Sequence, residues 1–247
     1  GRPDEDLDVG RDQAQGLATP RLGIVLAEDA RASTPEQLQY LVDAATRGTP
    51  DHRVMAVRAL GRIERPELVA TLAALLDAVD PRVRAEAANA LAQAGGRDAD
   101  RVRIVRGRLF DRLMIEASPD VRGAIGEALG RLPNAVPADA QVVERALLEI
   151  ASRPVVARRL SASPAGGGRL GVSLAPTTEI AVPTPALIGA LRGLESLARA
   201  RGRGQPFSED TVSRLKALAT AVSGPSGARA GVRATRADAA RVRRLAL

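Results

Sequence analysis

Few residue types in this chain of 247 can do chemistry, and those that can are scattered. There are no cysteines, which removes thiolate nucleophiles, disulfides and Cys-based zinc or iron–sulfur sites together. The single histidine, His52, stands beside Asp51. Adjacent residues of a helix point in different directions, and a general base needs both a nucleophile and an orienting partner within reach. His52 therefore reads as a surface or half-buried histidine. The run Gly166-Gly167-Gly168-Arg169-Leu170-Gly171 has the look of a phosphate-cradling loop, but it lacks the Gly-Lys-Ser/Thr ending and the strand–loop–helix setting. The acids Asp4, Glu5, Asp6 and Asp8 could attract a cation, yet their spacing is not that of a calcium loop. No catalytic, cofactor-binding or metal-binding residue is assigned, and no cofactor is expected.

Charge gives a second lead. The net charge of +7 hides a gradient: residues 1–100 carry a net −5, residues 101–150 a net +1 and residues 151–247 a net +11. A basic C-terminal third is a hint of an acidic partner such as nucleic acid, with Arg199, Arg201, Arg203, Arg241, Arg243 and Arg244 its candidate contacts. Two observations weigh against it. Lys216 is the only lysine, so the basic residues reflect an arginine-biased composition as much as a surface. Aromatics are 1% of the chain, namely Tyr40, Phe110 and Phe207, with Tyr40 at an expected core position. Base stacking, worth about 1–3 kcal/mol per base, is largely missing, and only salt-sensitive phosphate attraction is left. No apolar stretch is long enough to span a membrane.

The elements that must position anything functional are announced by a repeat. Thr49-Pro-Asp-His-Arg-Val-Met-Ala-Val-Arg-Ala-Leu-Gly recurs as Asp80-Pro-Arg-Val-Arg-Ala-Glu-Ala-Ala-Asn-Ala-Leu-Ala and as Ser118-Pro-Asp-Val-Arg-Gly-Ala-Ile-Gly-Glu-Ala-Leu-Gly. Aligned on Leu60, Leu91 and Leu129, each copy opens with a capping residue, then proline at the first helical position, where its missing N–H had no partner to lose. An arginine follows four residues after each cap, at Arg53, Arg84 and Arg122. Steps of 31 and 38 residues suit a stacked two-helix unit.

Partner helices precede each copy: one from Thr34-Pro35, one after Pro66, and one over Asp100 to Glu116. A fourth first helix is expected from about Pro137 to Ser152. The pattern then stops between Arg153 and Thr184, which holds four prolines and three consecutive glycines, with short strands suggested near 170–174 and 179–182. Helical periodicity resumes over about Pro185 to Arg201, from Ser208 to Val222, and over Arg236 to Leu247. The expected organisation is a poorly ordered lead-in (1–33), repeats (34–152), an irregular insertion (153–184) and further helical repeats (185–247). The last helix ends without a polar closing face, so the array is expected to be truncated there, as the N-terminal part of a longer protein.

The cap-Pro-x-x-Arg opening followed by Ala-Leu-Gly or Ala-Leu-Ala resembles the second helix of HEAT repeats, the armadillo-type α-solenoid family. The resemblance implies an all-α fold, an α–α superhelix of stacked hairpins whose inner face binds proteins, peptides or sometimes nucleic acid, with the recurrent arginine bracing neighbouring units. The run from Val57 to Leu68, with Arg84 to Ala92, also resembles the HEAT-containing N-terminal region of bacterial proteins that carry a cyclophilin-type peptidyl-prolyl isomerase domain. These residues cannot supply a cyclophilin site, which needs an arginine beside a Phe- and Gln-lined pocket on a β-barrel. The expected function is a non-catalytic interaction scaffold for a protein or peptide. Its candidate face consists of Arg58, Asn89 and Glu127, which align across the three copies.

Overall fold

A computed structural model describes residues 20–134, 136–152, 185–201 and 205–223. They form α-helices joined by turns: α1 (20–29), α2 (Pro35–Arg47), α3 (Pro50–Ile63), α4 (Val69–Ala74), α5 (Pro81–Ala94), α6 (Ala99–Ile115), α7 (Pro119–Arg131), α8 (Pro137–Ala151), α9 (Pro185–Arg201) and α10 (Glu209–Ser223). Short 3-10 turns, Pro66–Leu68 and Leu75–Asp77, flank α4. The fold is all-α. Even-numbered helices from α2 to α8 are the first members of hairpins, and α3, α5, α7 and α9 pack side by side as a layer of second members.

The local signals explain the starts. Thr34 forms a reciprocal capping box with Gln37, while Thr49 and Asp80 accept backbone N–H bonds from His52 and Arg82. Ser118 departs from expectation: its hydroxyl makes no cap bond, and its own N–H donates instead to Glu116. Gly96 ends the turn after α5 at φ +57°, a left-handed conformation that favours glycine.

Leu60, Leu91 and Leu129 are fully buried, which fits the alignment of the three copies. Small residues let the second helices approach closely. A Cβ on Gly61 would lie 2.7 Å from Ala90 Cα. The approach is closer still between α7 and α9, where a Cβ on Gly130 would lie 2.1 Å from the Gly193 carbonyl oxygen. Burial of a leucine side chain is worth about 1.5–3 kcal/mol, so this seam of alanine, leucine and glycine carries the stack without aromatics.

Two expectations are corrected. The lead-in was expected to run to residue 33, but residues 20–29 are helical and bury Ile24 and Ala27. Apolar residues at helical spacing can close on α2 there because Gly23 leaves a seat for the Tyr40 ring, whose hydroxyl donates to the Pro20 carbonyl at 3.0 Å. Tyr40 is accordingly no core residue; it is 39% exposed. The insertion (153–184), its suggested strands and the helix from Arg236 lie outside the described residues.

Candidate functional site

Each recurrent arginine turns back onto its own hairpin. Arg53 Nε donates to the Ala45 carbonyl at 3.0 Å, near the end of α2. Arg84 Nη1 donates to Ala78 and Val79, both at 2.8 Å, and Arg122 Nη1 donates to Leu113 at 3.0 Å and Glu116 at 3.2 Å. A cation beside the last carbonyls of a helix satisfies orphan acceptors and opposes the negative end of its dipole. These three residues brace hairpins.

Arg84 does more. Its Nε and Nη2 grip Glu116 with two bonds, at 2.9 and 3.0 Å, and Arg112 closes on the same carboxylate at 2.8 Å. The Glu116 side chain is 1% exposed. Burial pushes its pKa up, but Arg84, the Ser118 N–H and Arg112 outweigh this and bring it down to about 2. Two more buried charges lie on apolar stripes. Arg106 bonds Pro133 and Asn134 and pairs with Asp139 at 2.7 Å. Glu144 meets Arg201, Ser208 and Thr211; burial raises its pKa, and those three partners turn the net shift downward.

The candidate face has a continuous geometry. Arg58 on α3 pairs with Glu86 on α5 at 3.2 Å, and Arg131 on α7 donates to Asn89 on α5 at 2.8 Å. Arg192 on α9 pairs with Glu127 on α7 at 3.4 Å. Glu86 and Asn89 are one turn apart on α5, as are Glu127 and Arg131 on α7, so the bridges join into one seam across the second-helix layer. Arg62, one turn along α3 from Arg58, extends it to Glu28 on α1. Sequence alignment picked Arg58, Asn89 and Glu127, and the fold adds Glu28, Arg62, Glu86, Arg131 and Arg192. Their signal was hidden because partners are about thirty or more residues apart. His52 is half-buried at the start of α3.

Buried Glu144 and Arg106 were missed, although a charge interrupts each stripe: Glu144 between Ala140 and Leu148, Arg106 between Val102 and Leu109. Among the described residues, no three His, Asp or Glu side chains gather as a metal site would need, and no helix is long and apolar enough to cross a membrane.

Residues 38–111, from α2 into α6, match the family model described as HEAT repeats. That segment is similar to HEAT repeats. Its hairpins are α2–α3 and α4–α5, and α6–α7 and α8–α9 extend the same packing scheme beyond the matched HEAT segment. No curated protein matches the chain, so the narrower likeness to cyclophilin-linked proteins has no support from relatives.

Proposed function

We propose that this protein is a non-catalytic scaffold that docks a protein or peptide across its second-helix layer, with Arg58, Asn89 and Glu127 in the docking face. HEAT repeats typically serve protein interactions, which supports the class of partner. The observation that carries the choice of face is the seam from Glu28 to Arg192. It alternates cationic, acidic and amide groups along five helices at the surface, where a partner's polar backbone can exchange with existing bridges. The charged groups of this seam are partly solvated; the Arg58 and Arg192 side chains are each 49% exposed.

A photo-crosslinking residue at position 58, 89 or 127 is expected to capture one shared partner, while the same residue at Ile104 or Arg108 on the outer side of α6 captures none. Capture from α6 alone would oppose this reading. So would prolyl isomerisation by this chain, or DNA binding that survives about 200 mM salt.

A further inference from the structure

A cavity of about 550 Å³ opens between α8, the end of α9 and the start of α10. Its size falls among small-molecule sites, which run to roughly 300–1,000 Å³. Pro137, Ala140, Leu148 and Pro206 give it apolar walls, and two arginines, Arg145 and Arg201, are among its lining residues. We propose that this cavity binds a small monocarboxylate with an apolar body, gripped by the Nε and Nη2 edge of Arg201.

The Arg201 side chain is 7% exposed, and one corner of it is spoken for: Nη1 pairs with Glu144. Glu144 cannot turn to serve another corner. Its second oxygen accepts from the Ser208 N–H at 3.1 Å, the Ser208 hydroxyl at 3.0 Å and the Thr211 hydroxyl. The Phe207 ring, 5.2 Å from the guanidinium carbon, covers one flat face. Nε and Nη2 remain, buried and without an acceptor. Leaving a buried donor unmade costs about 1–3 kcal/mol, and more when the group is charged. These two donors also form an edge whose parallel N–H bonds match the two oxygens of a carboxylate.

Charge selects a monoanion. Arg201 is balanced by Glu144, and Asp210 by Arg214 at 3.0 Å. Arg145, exposed and with no ion-pair partner among the described residues, leaves one positive charge at the rim. Neither Nε nor Nη2 touches water, so binding must shift the side chains that cover this edge.

The test is an NMR titration of the full chain with N-acetylleucine and with its uncharged amide. The acid is expected to bind saturably, shifting the Ser208 and Thr211 amides, at least about tenfold more tightly than the amide. Arg201→Lys, which keeps the charge and loses the fork, should weaken the acid about tenfold while the melting curve stays near that of the parent. Arg145→Gln, at an exposed position that does not threaten folding, should weaken it severalfold. Equal binding of acid and amide, no saturation up to about 10 mM, or full affinity in Arg201→Lys would overturn the proposal. Should Arg201→Lys fail to fold, the acid–amide comparison and Arg145→Gln decide.

Discussion

In the hairpins α2–α3, α4–α5 and α6–α7, an arginine in the first turn of the second helix reaches back to the last carbonyls before it. In α8–α9 the corresponding residue is Ile188, and residues 152–184 separate the two helices. A short connection keeps the carbonyl end of one helix beside the start of the next, where a guanidinium can bridge them. With the long connection that brace is gone, and α9 is fixed instead from the side, by glycine against backbone on α7. Each junction in a stacked array contributes its own interface energy, so one fold can use different devices at different steps.

Breaking the α7–α9 junction should give the largest effect. A Cβ at Gly130 would sit 2.1 Å from the Gly193 carbonyl oxygen, and one at Gly189 would sit 2.1 Å from that of Gly123. The atoms in the way are backbone, so the helices must separate. Gly130→Ala is expected to destabilise by about 3 kcal/mol or more. Hydrogen exchange should rise in α7 and α9 while α3 keeps its protection; uniform loss across all helices would mean that the junctions are not energetically separate. Gly61→Ala, with its nearest atom at 2.7 Å, should cost less.

Acid should sharpen the contrast. Glu116 has its pKa lowered from the usual 4.5 to about 2, so its contribution is whole above pH about 4.5 and is lost as pH falls through about 2. A displacement of that size is worth about 3 kcal/mol at neutral pH. Melting temperature should therefore fall across this window more steeply for the parent than for Glu116→Gln. Glu144, also lowered, should act in the same direction, but on exchange in α8 and α10 rather than in α5 and α7. If Glu116→Gln leaves the acid slope unchanged, the Arg84–Glu116–Arg112 cluster is not what holds the third hairpin to the second.

Removing the brace itself ranks next. Arg84→Ala loses two carbonyl bonds and a bidentate ion pair, but Glu116 keeps Arg112, so a loss of about 2 kcal/mol is expected in denaturant unfolding. Arg53→Ala gives up one carbonyl bond and should lose about 1 kcal/mol. Equal losses would place the value of Arg84 in its carbonyl bonds rather than in Glu116.

These ranks follow what was legible in the chain. Caps, N1 prolines and the arginine four residues on are local in sequence, so three hairpins could be read directly. The helix at 20–29 could not, because its burial depends on the seat at Gly23 for Tyr40, a contact between separate segments. The close fit of α7 to α9 is equally non-local: Gly123, Gly126 and Gly130 read as weak helix formers until Gly189 and Gly193 are set against them across residues 152–184. Glu116 and Glu144 were hidden for a related reason, since a carboxylate can be buried only where the fold gathers its cations and hydroxyls around it.

The seam should give the smallest change in stability and the largest in binding. Surface ion pairs contribute about 0–1 kcal/mol, so Arg58→Ala, Asn89→Ala and Glu127→Ala are each expected to alter unfolding by about 0.5 kcal/mol or less. In a double-mutant cycle, Arg58 and Glu86 should couple by less than about 0.5 kcal/mol, while partner capture drops about tenfold for either single variant. A coupling above about 1.5 kcal/mol with capture unchanged would make the bridge a fourth kind of structural brace. The docking face would then have to lie elsewhere on the stack.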